Sequence, residues 1–320
     1  EITGITVSKV IVKWFAGKEL ALAMGLQVAM ARIGTALALG VSLPVARMMG
    51  NVSYPVLFGA IVLCIGFVSY LVYCMMDRKE DASAEAVRME SGQEKEEGFK
   101  MSDLKQIFCS RGFWLINLLC LMFYAGVFPF LKFATKLMIY KYDVPESFAG
   151  LIPALLPFGT ILLTPVFGSL YDRIGRGATL MIIGSFMLTA VHVLFALPIM
   201  HYWGFAVVVM IVLGIAFSLV PSAMWPSVPK IIPMKQLGSA YAIIFYIQNI
   251  GLTMVPWLIG WVIEHFATLR NEAGVITGYD YTAPMVIFAI FGVCAIVIAM
   301  LLRAEDAKKH YGLEEANMKK

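Results

Sequence analysis

The sequence predicts an all-α polytopic membrane protein, and three observations predict it. The 320-residue chain is 60% hydrophobic and 14% charged, whereas soluble domains are about 45–50% apolar and about 25% charged. Asp, Glu, Lys and Arg are missing from long runs at 48–76, 112–131, 147–171, 177–229, 236–263 and 281–302. Lys and Arg gather in alternate loops, the pattern that orients membrane spans. A mean hydropathy of +0.81 excludes an ordinary soluble enzyme and a disordered tail. A net charge of +4 offers no basic surface for a phosphate backbone, so the expected partner is the lipid bilayer and not a nucleic acid.

A helix needs about 20 mostly apolar residues to cross the hydrocarbon. The 53-residue run 177–229 is too long for one helix and divides at Leu197-Pro198-Ile199-Met200-His201. The stretch 20–46 is apolar apart from Arg32. Eight spans follow, at 19–46, 53–76, 112–139, 146–170, 177–197, 202–224, 236–264 and 281–303, with residues 1–14 as the end of one more. Residues 77–111 carry nine acids and seven bases and read as a solvated, partly helical linker. The predicted domains are therefore 1–76, the remainder of an N-terminal bundle; 77–111, the linker; 112–303, a C-terminal six-helix bundle; and 304–320, a polar tail. The loops on the linker side carry 18 of the 25 Lys and Arg residues, which places the linker and C-terminus in the cytoplasm. Five cysteines without metal-ligand spacing read as small apolar side chains, and neither a metal site nor a cofactor is expected. Asn51-Val52-Ser53 is a glycosylation sequon in a loop so short that it reads as accidental.

An internal repeat is visible at an offset of 217. Lys13 matches Lys230, Lys18 matches Lys235, Leu20 matches Leu237, Ala23 matches Ala240, and Ile33-Gly34 match Ile250-Gly251. Paired lysines thus bracket a short loop before a Gly/Ala-rich span in each half. Parallel repeats of six spans define one large transporter architecture, with the substrate site near the midplane between halves. By this symmetry about a hundred residues, roughly three and a half spans, precede Glu1, and the chain reads as an N-terminally truncated fragment.

Residues 168–176 read Gly-Ser-Leu-Tyr-Asp-Arg-Ile-Gly-Arg. This resembles the G-x-L-x-D-R-x-G-R signature of the major facilitator superfamily, which follows the second and eighth spans in that family. The resemblance implies a twelve-span fold of which about 8.5 helices are present, and a conformational gate at Gly168, Asp172, Arg173, Gly175 and Arg176. Asp172 suits a neighbouring helix N-terminus, where the helix dipole favours an anion. Three further segments narrow the likeness. They are Trp14-Phe15-Ala16-Gly17-Lys18-Glu19-Leu20 with Met30-Ala31-Arg32-Ile33-Gly34; Tyr124 with Phe128-Pro129-Phe130; and Trp225-Pro226 with Gln236 to Tyr241 and Ile247 to Leu252. Together they look like the family of major facilitator superfamily domain-containing protein 1, whose animal members are lysosomal dipeptide transporters working with a glycoprotein accessory subunit. An accessory subunit is implied by this resemblance alone. Short loops suggest a bacterial inner-membrane relative, and a lysosomal membrane if the chain is an animal member.

Arg32 lies 14 residues beyond Lys18, about 21 Å along a helix and near mid-bilayer. A cation there needs a cavity or a partner. Glu1 falls at a matching depth on the preceding span. A guanidinium takes a carboxylate bidentately and a carboxylate takes an ammonium, so the pair suits a zwitterion; a structural ion pair is the alternative. In the family a Glu and an Arg at matching positions contact the peptide termini. Asn249 occupies the repeat position of Arg32, and of the adjacent pair Gln248 and Asn249 the latter is expected to face inward. Trp225 and Tyr246 are candidate aromatic walls. Lys132 either faces the pathway or snorkels outward with Lys136, and His192 is a packed polar residue or a proton relay. The expected function is a secondary transporter of small zwitterions, dipeptides first, by uniport or proton coupling. Transport of another small organic anion, or a non-transporting scaffold or sensor on the same fold, are the alternatives. A membrane enzyme is not expected, since no Cys-His, Ser-His-Asp or metal cluster is present.

Overall fold

The computed structural model describes residues 2–15, 17–51, 53–91, 101–272 and 274–318. The elements are α1 (Ile2–Phe15), α2 (Leu20–Met49), α3 (Ser53–Ser91), α4 (Met101–Cys109), α5 (Arg111–Tyr142), α6 (Glu146–Ala149), α7 (Leu151–Ile174), α8 (Gly177–Ala196), α9 (Trp203–Ile231), α10 (Leu237–Val262), a two-stranded hairpin β1 (Thr268–Arg270) and β2 (Ile276–Tyr279), and α11 (Thr282–Lys309). Seven of these stretches are long and apolar enough to cross a membrane: Ser53–Lys79, Arg111–Tyr142, Leu151–Ile174, Gly177–Ala196, Trp203–Ile231, Met234–Ala267 and Thr282–Lys309. Leu20–Gly34 is a shorter apolar helical stretch.

The chain divides into two compact units, Glu1–Arg32 with Lys100–Lys320, and Ile33–Phe99. The smaller unit holds α3, whose Asn51 side chain accepts the Ser53 amide at 2.9 Å and so starts the helix. Side chains such as Leu57, Ile61, Val68 and Leu71 are exposed along it. The expected linker begins inside this helix, which runs on to Ser91 through Ala- and Glu-rich sequence of high helix propensity. Residues 92–100 of that linker lie outside the described residues.

In the larger unit α5 is the hub, packed by α10 and α11, while α8 packs on α9 and α11, and α7 on α9. The largest side chains of its core are aromatic. Phe113, Phe123, Phe130, Phe195, Phe217, Phe288, Tyr171 and Tyr241 are fully buried. His192 is fully buried too, between the rings of Phe130 and Phe288, and its Nε2 donates to the Gly126 carbonyl at 2.8 Å.

The 217-residue repeat is visible in the helix boundaries. α2 begins at Leu20 and α10 at Leu237; α1 ends at Phe15 and α9 at Ile231. Several helices extend beyond the spans expected of them. α9 continues from 224 to Ile231 through Pro226 and Pro229, and the Trp225 carbonyl that Pro229 cannot bond accepts the Tyr241 hydroxyl of α10 at 3.1 Å. Ser218, Ser222 and Ser227 donate to Gly214, Ser218 and Ala223 at 2.7–2.8 Å. α11 continues to Lys309, and the expected polar tail is not a solvated end. It turns at His310 (φ 54°) and Gly312 (φ 79°) and folds back, with Leu313 fully buried and Asn317 8% exposed. At the other end of the bundle Asp280 accepts the Thr282 amide at 2.9 Å. Hydrogen bonds from Thr282 hold this carboxyl below the usual carboxylate range, with Lys141 adding to the effect.

Candidate functional site

A cavity of about 430 Å³ lies among α1, α2, α5, α9 and α10, within the range of small-molecule sites. Each helix contributes one stripe. Met24, Gln27, Val28, Ala31 and Arg32 come from α2, and Phe245, Gln248, Asn249 and Leu252 from α10. These follow the i, i+3, i+4, i+7 spacing of one helix face. The repeat equates Val28, Ala31 and Arg32 with Phe245, Gln248 and Asn249, so related faces of α2 and α10 line the cavity. Gly4 and Ser8 of α1, Tyr124 and Phe128 of α5, and Trp225 of α9 complete it.

Arg32 follows Leu20 by twelve residues, about 18 Å of helix. Its guanidinium carbon sits 4.8 Å from the Phe128 ring centroid and 5.7 Å from that of Phe217, a cation–π arrangement. Its Nε is buried and has no hydrogen-bond partner among the described residues. The surrounding wall is rigid. Trp225 stacks on Phe245 at 4.9 Å and donates its indole N–H to the Tyr124 hydroxyl at 3.0 Å. Tyr124 meets Phe217 edge-on at 5.6 Å. Opposite, Gln27 donates to Ser8 at 3.1 Å. The cavity therefore offers one cation, several amides and hydroxyls, and broad aromatic faces.

The expected residues fall unevenly. Arg32, Asn249 and Trp225 line the cavity. Gln248 lines it as well and is more buried than Asn249. A helix face wide enough to include i+3 and i+4 admits two adjacent residues, so the choice of Asn249 alone was too narrow. Asn249 donates to the Phe245 carbonyl at 2.8 Å. Tyr246 is 71% exposed and Lys132 is exposed, and neither lines the cavity. Tyr246 lies one position past Phe245, about 100° around the helix from the lining face. Glu1 lies outside the described residues. Ser8, Gln27 and the supporting Phe217 were not singled out from sequence, and Tyr124 and Phe128 were quoted only for the family likeness. For Gln27 the signal was present, since it is an uncharged amide five residues before Arg32 on the same stripe.

The motif residues form a second site at one end of the bundle. The Asp172 carboxylate is 1% exposed and caps the N-terminus of α2, accepting Ala21 N–H at 2.8 Å through Oδ1 and Leu22 N–H at 2.7 Å through Oδ2. Asn317 donates to Oδ1 at 2.7 Å. Gly168 permits this approach, because a Cβ there would stand 2.4 Å from the Ala21 carbonyl oxygen. Gly175 has φ 75° and ends α7, and its Cβ would meet the Glu314 carbonyl oxygen at 2.5 Å. Arg173 and Arg176 are exposed. Arg176 contributes through its backbone, left-handed at φ 63° as it opens α8, with its N–H donating to Glu314. Among the described residues no three His, Cys, Asp or Glu side chains gather closely enough to hold a metal ion.

Comparison with known proteins agrees with this architecture. The model of the Major Facilitator Superfamily matches residues 2–143 and again 131–319. The lysosomal dipeptide transporter MFSD1 of Gallus gallus is 29% identical over 262 residues, 79% of this chain and 57% of its own length. The human protein of that name is 27% identical over the same share of this chain and 54% of its own length. The Danio rerio protein is 26% identical over 94% of this chain and 62% of its own length. The chain thus spans little more than half the length of these relatives. Among solved structures, the proton:xylose symporter XylE bound to 6-bromo-6-deoxy-D-glucose superposes with a TM-score of 0.59 at 16% identity, over 91% of this chain and 65% of that one. That likeness shows the fold.

Proposed function

The chain belongs to the major facilitator superfamily and is a multi-pass integral membrane protein; from that premise we propose that it forms the larger part of a secondary transporter of small zwitterionic solutes, dipeptides foremost, working by alternating access. The observation that carries this reading is Arg32. Arg32 lines a cavity of about 430 Å³, its Nε is buried without a partner among the described residues, and a guanidinium so placed suits an anion. A carboxylate fits the guanidinium fork bidentately. The amides of Gln27, Gln248 and Asn249 are of the type that bonds a peptide unit, and the aromatic walls suit an apolar side chain or an ammonium. The MFSD1 relatives, named as dipeptide transporters, support the same substrate class. In this reading Glu1 would meet the substrate ammonium.

The Asp172 cluster acts as the gate. Its grip on the α2 N-terminus joins the two repeat-related halves at one end, and rocking the halves apart breaks it. The positive-inside distribution assigns that end to the cytoplasm, and residues 77–111 link an N-terminal bundle to the bundle of 112–303. Among the described residues no Asp or Glu lines the cavity, so in this reading Glu1 is the titratable group of the site, and the proposal covers uniport and proton coupling alike.

The test compares a dipeptide with its C-terminally amidated form, binding to the full-length wild type and to Arg32→Lys. Wild type should prefer the free carboxylate by about tenfold or more, and Lys, lacking the planar fork, should lose that preference. Equal binding of both peptides by wild type overturns the peptide reading.

A further inference from the structure

We propose that residues 312–318 are a working part of the gate: a strap, fixed to the bundle of α7, α8, α9 and α11, whose Asn317 holds the Asp172 carboxylate in position to grip α2. The proposal rests on the gate reading of Asp172 given above.

The strap is built into the protein at every turn. It begins where Lys230 donates from Nζ to the Gly312 and Glu315 carbonyls at 2.8 and 2.9 Å. The Leu313 amide donates to the Asp306 carboxylate at 3.1 Å, and its carbonyl accepts Gly177 N–H at 2.8 Å. The Glu314 carbonyl accepts Arg176 N–H at 2.9 Å, and its carboxylate accepts the Thr179 amide and hydroxyl at 2.9–3.1 Å. Arg176 opens α8 without a side-chain cap of its own, so the strap satisfies amides that a helix N-terminus leaves open. Finally the Met318 amide donates to the Asp172 carbonyl at 3.1 Å. All of these anchors belong to one side of the gate.

Asn317 is the residue that faces across it. Its amide shares Oδ1 of Asp172 with the Ala21 N–H. A carboxylate turns easily about its last bond, and it can accept from two consecutive backbone N–H groups in one orientation only. With α2 docked, three donors fix that orientation. With α2 withdrawn, Asn317 is the donor that remains, and it keeps one oxygen aimed at the place to which Ala21 returns. The strap also walls a cavity of about 210 Å³ whose opposite lining includes Val12, Gly17 and Leu20 of the α1–α2 turn. Closing the gate therefore brings this turn against the strap, and opening it uncovers both.

The readout is the reactivity of a cysteine at Val12, 1% exposed in this conformation, toward an impermeant maleimide. It is measured in the full-length protein, without substrate, with its native cysteines replaced. Asn317→Ala should raise the labelling rate from the Asp172 side by about threefold to tenfold, the loss of one hydrogen bond to a charged group. Asn317→Asp, which sets a second carboxylate against the first, should raise it further. Both should melt within a few degrees of the parent, because the other strap anchors are intact. Asp172→Asn is the control that separates the two readings. If it leaves Val12→Cys unreactive, the gate reading fails; if it raises labelling while both Asn317 variants leave it unchanged, the gate stands and the strap is only a cap on α8.

Discussion

Asp172 on α7 and Arg32 on α2 are charges on apolar helices of the same compact unit, and they are treated in opposite ways. Asp172 has three donors within 2.8 Å and needs nothing more. Arg32 has aromatic faces for neighbours and a buried Nε that no described residue satisfies. Leaving a buried charge unpaired costs far more than pairing it, so a fold keeps such a group only where something else completes it. A saturated charge holds structure together, and an unsaturated one waits for a ligand. The contrast makes separate predictions for stability and for binding.

The largest effect is expected at the open charge. Arg32→Met should weaken dipeptide binding by about a hundredfold or more, the loss of two charge-assisted bonds. The same change should leave the melting temperature of the ligand-free protein unchanged or raised. A fall in melting temperature with binding intact would make Arg32 a helix-locking residue. Asp172→Asn should behave the other way. Turnover in proteoliposomes should fall about tenfold and the melting point by several degrees, because one charge-assisted acceptor is replaced by an amide facing N–H donors. Its dissociation constant should stay within about twofold of wild type, since Asp172 lies at the end of the bundle away from the cavity.

Gly168→Ala sharpens the same point sterically. The added methyl meets the Ala21 carbonyl oxygen, so α2 cannot dock fully, and turnover should drop severalfold with binding preserved. Trp225→Phe removes the indole N–H from the Tyr124 hydroxyl; affinity should fall by about fivefold, near the worth of one hydrogen bond. Tyr246→Ala should change neither quantity by more than about twofold, because that side chain points away from the cavity.

The Asp172 motif was more legible in the sequence than the cavity. A nine-residue motif with two glycines and one Asp carries its own geometry, and the expectation that Asp172 would meet a helix N-terminus matches its bonds to Ala21 and Leu22. Span counting was legible for a similar reason, since bilayer thickness imposes a length on every helix. Arg32 stood out because a charge in an apolar run has no other explanation. Its aromatic neighbours Phe128 and Phe217 did not, because a membrane helix is rich in such side chains whether they face lipid, core or ligand. The error at Tyr246 has that same origin. Residues 312–318 were unreadable for the opposite reason. Their polar composition resembles any solvated tail, and only the amides left open at α8 and the Lys230 ammonium give it somewhere to bind.

Pro229 has a further consequence. A proline has no N–H to give the carbonyl four residues earlier, and here that carbonyl belongs to Trp225. The Tyr241 hydroxyl donates to it at 3.1 Å. A bond missing inside α9 thus becomes a bolt between α9 and α10, placed behind the tryptophan that walls the cavity. Restoring the missing amide with Pro229→Ala would let α9 close its own ring of bonds and set Tyr241 adrift. A position that touches no ligand would then be felt as slack in the wall, and the rigidity of the binding surface traces back to an atom the helix lacks.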